Sequence, residues 1–196
     1  MYLFIHLFDV LFYATIGNSI AHKCFFPPKD WEGQLMLKAK VKTLYCELLG
    51  ESIKQQLLEQ EIPQNEVSYY FGDDIRLISA PAISQILKGR RNITLDSVDA
   101  LQETLGLPSV KSVFFPNLDF CELLISQLTE LILTDGSSST KQLFQAKEND
   151  IQQNLSTLTT ALYDYFPDFP EEETSYQIAE SLAEWLIEFV ALVAQL

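Results

Sequence analysis

The residues whose types could do chemistry fall into a few groups, most of which reduce to structural roles. Lys88, Arg90 and Arg91 crowd cations around Gly89, and eight of the 13 basic residues lie between Lys38 and Arg91. Cations so placed can neutralise phosphates, or simply favour the negative end of a helix dipole. Asp164, Asp168 and Glu171 to Glu173 gather carboxylates, but His6 and His22 are not in step with them. A solvated charge run therefore fits better than a metal or acid–base centre. Cys24, Cys46 and Cys121 are far apart, with no CxxC pair and no zinc-finger spacing, and read as buried reduced thiols. There is no glycine-rich phosphate loop, nucleophile elbow, histidine-based metal motif or internal repeat. The sequence is accordingly not expected to be an enzyme or to need a cofactor.

Composition sets the frame for the basic cluster. The chain has 196 residues, 47% of them hydrophobic, enough to bury a core in one domain or two small ones. Its formal charge is −14, the wrong sign overall for a protein whose affinity comes from neutralised phosphates. The charge is unevenly spread, however. No Lys or Arg follows Lys147, so the C-terminal third is acidic and the positive charge sits in the first half.

The elements that must position the cluster can be read from periodicity. Leu49, Ile53, Leu57 and Leu58 fall at helical spacing in an amphipathic helix that ends before Pro63. Gln64 to Gly72 reads as a second short helix, with Pro63 suited to its first turn and Gly72 to its end. Asp73 to Leu77 is a polar loop. A third helix runs from about Pro81 to Lys88 and is stopped by Gly89. A fourth is opened by Thr94 or Asp96 and closed by Gly106 and Pro108.

Taken together, Leu49 to Leu107 resembles the helix-turn-helix domain of phage repressors and Cro, the xenobiotic-response-element type. The resemblance is carried by Gln64, Val67, Ser68, Phe71 and Gly72, then Ile83, Ser84, Ile86, Gly89, Arg91 and Asn92, then Leu95, Asp96, Val98, Leu101, Leu105 and Gly106. It implies an all-α fold, a five-helix repressor-like domain followed by a C-terminal helical bundle. It also implies that Ser68 lets the second helix approach the third, that Ile83 and Ile86 bury the third, and that Gly89 takes a positive φ. DNA reading would then come from the third helix in the major groove. By position, Ser79, Ala80, Pro81, Ala82, Ser84 and Gln85 would face base edges, and Gln64, Lys88, Arg90 and Arg91 would lie near phosphates. Gln85 would suit adenine and the alanines thymine methyls. Two features depart from the pattern: the five extra residues Asp73 to Leu77, two of them acidic, and the run Ala80-Pro81-Ala82 in place of polar readers.

Beyond Pro108, Ser109 to Pro116 reads as a hydrophobic connector and Leu118 to Leu133 as a strongly apolar helix. Thr140 to Phe166 reads as one long amphipathic helix, and Thr174 to Leu196 as a final helix with the acidic stripe Glu180, Glu184 and Glu188. These helices can close their own bundle or also support self-association, which would supply the second recognition helix of a dimer. Residues 1–35 are a separate apolar segment: a signal, an anchor, a stretch upstream of a natural start at Met36, or a packed helix. The expected organisation is thus 1–35, a helix-turn-helix domain over 36–108, and an acidic helical domain over 109–196. The expected function is a cytoplasmic, sequence-specific DNA-binding transcriptional regulator. It would act as a homodimer on double-stranded DNA, with a C-terminal domain for oligomerisation, sensing or a protein partner. The alternative is a protein-interaction module that keeps the helix-turn-helix fold without reading DNA.

Overall fold

The computed structural model describes residues 31–68, 78–91, 93, 95–167 and 175–196. All regular structure among them is helical. Eight α-helices run in order: α1 (Trp31–Glu59), α2 (Ala80–Leu87), α3 (Leu95–Leu105), α4 (Val110–Phe114), α5 (Leu118–Asp135), α6 (Ser138–Gln153), α7 (Leu155–Tyr165) and α8 (Ser175–Gln195). A 3-10 turn, Glu66–Ser68, lies between α1 and α2. No helix among the described residues is long and apolar enough to cross a membrane. The N-terminal segment up to residue 30, the acidic loop Asp73 to Leu77, both histidines, Asp168 and Glu171 to Glu173 lie outside the described residues.

α1 is longer than the amphipathic stretch suggests, starting at Trp31 instead of near Leu49. Among the side chains described, its buried hydrophobic residues are Leu37, Val41, Tyr45, Leu49, Ile53 and Leu57, a spacing of four residues throughout. With 3.6 residues per turn, each step of four rotates the stripe by about 40°, so it turns through about 200° along the helix. Both α2 and α5 pack on α1. In its N-terminal half, Val41 and Tyr45 line a small void together with Leu124 and Leu128 of α5 and Leu182, Trp185 and Leu186 of α8. Near its C-terminal half, Gly50 meets the end of α2: a methyl placed there would lie 2.5 Å from the Ile86 carbonyl oxygen.

The hydrophobic core is continuous from Leu37 to Val193, across the expected boundary near residue 108. Phe115 is its hub. This fully buried ring lies 4.6 Å from the Phe166 ring and 5.1 Å from Trp185, centroid to centroid, and it also neighbours Tyr45 and Phe120. Such tilted and edge-on pairs add to the burial of large aromatic surfaces. The polar handles of this cluster are satisfied internally. The Tyr45 hydroxyl donates to the Phe114 carbonyl at 3.0 Å, and Trp185 Nε1 donates to the Leu162 carbonyl at 2.8 Å.

Besides α1, three elements differ from the sequence reading. The second short helix appears, in its described part, as the 3-10 turn, opened by the Glu66 amide bonding the Pro63 carbonyl at 2.9 Å. The connector Ser109 to Pro116 contains α4, whose N-terminus is capped by Ser109 accepting from the Ser112 amide. Short, apolar and flanked by Pro108 and Pro116, it lacks the length for a periodic pattern. The single helix expected over Thr140 to Phe166 is broken at Asn154, whose Nδ2 donates to the Asp150 carbonyl at 2.8 Å. An asparagine side chain that bonds the backbone competes with the helical ladder. The bend lets α6 and α7 both pack on α5 and α8.

Of the three cysteines, Cys46 is half-buried and Cys121 buried, both as free thiols, and Cys24 lies outside the described residues. Burial, only partly offset by Lys111, pushes the Cys121 thiol from 9.0 up to about 12. Burial, with a smaller contribution from Cys46, holds the Tyr45 phenol well above its ordinary 10.0.

Two predictions follow from this packing. Helix propensity alone would make Gly50→Ala stabilising by about 1 kcal/mol, whereas the contact with Ile86 makes it destabilising by about 1–3 kcal/mol. Calorimetry should show a lower melting temperature for Gly50→Ala and little change for Lys54→Ala one turn on; a rise for Gly50→Ala would refute the close crossing. The second concerns alkali. An acid whose folded pKa lies above its unfolded value contributes stability below the unfolded value and loses it as pH climbs toward the folded one. For Cys121 that window runs from 9.0 to about 12. The melting temperature should drop through it, less steeply in Cys121→Ala than in the parent chain, and equal slopes would mean that the thiol is not sealed.

Candidate nucleic-acid interface

The candidate residues centre on α2 and the turn that follows it. α2 is short but closed at both ends by its own sequence. At its N-terminus the Ala82 amide donates to Ser79 Oγ at 3.3 Å, with Pro81 in the first turn. There Pro gives up only an amide that would be orphaned anyway. At its C-terminus the Arg90 amide reaches the Gln85 carbonyl at 2.8 Å and the Gly89 amide the Ile86 carbonyl at 2.9 Å. This paired closure needs a left-handed residue, supplied by Gly89 at φ +66.

Burial divides α2 into two faces. Ala82, Ile83 and Ile86 are buried. Pro81, Gln85 and Lys88 are exposed and Ser84 is half-buried, at the i, i+3, i+4, i+7 spacing of one helical face. Arg90 and Arg91 continue this exposed surface beyond the helix. Gln64, also exposed, precedes the 3-10 turn, which packs against both α2 and α3.

Of the residues expected to face bases, Pro81, Ser84 and Gln85 fall on the outer face. Ala82 does not. It is only 5% exposed and belongs to the core, because it sits one position before Ile83 and four before Ile86 on the inward side. Ala80 is half-buried, and Ser79, although exposed, uses its hydroxyl as the helix cap. Of the six residues expected to face bases, the outer face of α2 thus carries Pro81, Ser84 and Gln85. The residues expected near phosphates, Gln64, Lys88, Arg90 and Arg91, are all exposed. Of the fold-keeping residues, Val67, Ile83, Ile86, Val98, Leu101 and Leu105 are buried. Phe71 and Gly72 lie outside the described residues.

The supports of this surface are less visible in the sequence than the surface itself. Gly89 rests on α1 at Glu47: a methyl on Gly89 would lie 2.6 Å from the Glu47 Cα and 2.7 Å from its Cγ. Gly50 seats the last turn of α2 from the same helix. An isolated glycine within an otherwise helical pattern was the one available sign of such a close approach. No protein-family model, curated protein or solved structure matches the chain.

Ser79 yields a direct check. Losing an N-cap costs about 1 kcal/mol, so Ser79→Ala should lower the denaturation midpoint of the free protein, with Ser79→Asp restoring it. A midpoint unmoved by Ser79→Ala would mean that the hydroxyl is not the cap and is free to serve a ligand.

Proposed function

We propose that the chain is a sequence-specific DNA-binding transcriptional regulator of the Cro and phage-repressor type, in which α2 enters the major groove. The observation that carries this reading is the two-faced construction of α2. Its inner face is sealed by Ala82, Ile83 and Ile86, while Pro81, Ser84, Gln85 and Lys88 line the outer face and lead into the exposed Arg90 and Arg91. Eight residues make a helix of about 12 Å, matched to one passage of a major groove of about that width. In this arrangement Gln85 pairs with a base edge, Ser84 gives a short hydrogen bond, and the three cations with Gln64 hold the backbone. The C-terminal helices serve oligomerisation or sensing, and a homodimer places its two α2 helices about 34 Å apart on successive half-sites. The site of action is the cytoplasm.

The protein-interaction reading draws on a specific observation of its own. The chain carries −14, and with Ala82 buried the outer face offers few base-reading groups. Titration with random duplex DNA across a range of salt separates the two. A regulator binds non-specifically at low salt and loses affinity steeply as salt rises, because bound phosphates release counterions. No measurable binding at low salt would leave the interaction module standing. Where binding occurs, Arg91→Ala should weaken it on all sequences alike and flatten the salt slope by about one unit. Gln85→Ala should cost about 1–3 kcal/mol on a selected site only. Equal loss on every sequence for Gln85→Ala would show that α2 does not read bases.

A further inference from the structure

Away from α2, a groove of about 480 Å³ runs between α1 and α5. Its floor includes Leu44 and Leu131, both only partly covered by the core. One end is closed by an ion pair between Lys40 and Asp135 at 2.8 Å. Toward the other end stand Glu47 and Glu130, both exposed, and neither in an ion pair among the described residues. A second cation, Lys141, bonds the carbonyl of the lining residue Thr134 at 3.3 Å, at the same end as Asp135. With Lys40 taken up by Asp135, the charge beside Leu44 and Leu131 away from that end is negative and comes from Glu47 and Glu130. An apolar floor with a few convergent polar groups is the usual make-up of a small-ligand site.

We infer that this groove binds a small amphipathic organic cation, its apolar part on Leu44 and Leu131 and its ammonium group between Glu47 and Glu130. The charge chooses the occupant. A neutral apolar molecule would leave two carboxylates facing its surface unused, and an anion would be repelled by both. The size agrees with an occupant of drug-like dimensions, since such sites run from about 300 to 1,000 Å³. Glu47 gives the groove a consequence. The same residue supports Gly89 through its Cα and Cγ, and Gly89 sits between Lys88 and Arg90. A cation that draws the Glu47 carboxylate into the groove acts on the turn that carries the phosphate contacts of the proposed DNA-binding face. The groove is then an effector site for that face, a consequence that rests on the DNA-binding reading. The binding itself does not.

The test uses the full chain and octyltrimethylammonium below its micelle concentration, with octanoate and octanol as matched controls, followed by calorimetry and by chemical-shift changes. Saturable one-to-one binding of the cation is expected, with octanoate not binding and octanol at least tenfold weaker. The double variant Glu47→Gln, Glu130→Gln should lower affinity for the cation about tenfold, as expected for two partly exposed ion pairs. Lys40→Gln, which releases Asp135, should raise it. Leu131→Trp should block binding while leaving the circular dichroism of the helices unchanged. Absence of saturable binding, equal binding of octanol, or full affinity in the double carboxamide variant would overturn the proposal. The effector role is read by repeating the duplex titration with the groove saturated. A changed DNA affinity in the parent chain, absent in Glu47→Gln, supports it, and an unchanged affinity overturns it. A chain that takes the cation and no DNA refutes the regulator and the effector role but keeps the groove. One that takes DNA and no cation refutes the groove alone.

Discussion

The structure depends on α1 and on the rotation of its buried stripe. A helix that buries every fourth residue cannot keep one face toward one partner, since the stripe drifts by about 40° with each step. From Leu37 to Leu57 the drift amounts to about half a turn of the helix, enough to present apolar side chains on different sides at its two ends. Val41 and Tyr45 line a void with residues of α5 and α8, and about one turn further on Glu47 and Gly50 support α2. One helix thereby joins the acidic C-terminal bundle to the basic surface without a flexible linker between them.

That joining explains why the core is continuous. Phe115, just after α4, stacks among rings contributed by α1, α5, the end of α7 and α8. The Tyr45 hydroxyl ties α1 to the carbonyl beside that ring. A buried phenol or indole without a partner would cost about 1–3 kcal/mol, and here each finds a carbonyl on a neighbouring element. The aromatic cluster therefore fixes orientation as well as supplying burial. The C-terminal helices hold α1 in place, and α1 in turn sets the position of α2. The groove between α1 and α5 lies along this same joint.

Much of this was legible in the sequence, and the rest was hidden for identifiable reasons. α2 and α3 carry strong stop signals in Gly89 and Gly106, and their helices end one or two residues from those glycines. The N-terminal half of α1 was missed because Lys38, Lys40 and Lys42 interleave with its apolar positions. α4 is too short to show periodicity, and Asn154 breaks a pattern whose apolar positions continue on either side of it. In the candidate interface, residue type and position located Gln85, Lys88, Arg90 and Arg91 on the surface. They could not separate Ala82 from its neighbours, because a helix face is decided by what packs against it, and alanine is at home on either side.

The DNA-binding reading proposed above offers a −14 chain to a polyanion. Charge acts over a limited range in physiological salt, about 8 Å for exposed groups. The carboxylates of α8 crowd the end of α7: Tyr165 is raised above its ordinary value by partial burial first and then by Glu184 and Glu188. α8 packs on α6 and α7, whereas α2 packs on α1 and the 3-10 turn. Along α1, Tyr45, which lines a void with Trp185 of α8, and Gly50, which meets α2, are five residues apart, a rise of about 7.5 Å. That is within the screening length, so distance along α1 alone does not remove the acids of the C-terminal bundle from the basic turn. Glu47, in contact with the Gly89 turn itself, is close enough to matter. On the DNA-binding reading, Glu47 is therefore the acid that α1 places against the turn carrying Lys88, Arg90 and Arg91, and the bundle's acids add to it instead of being screened away.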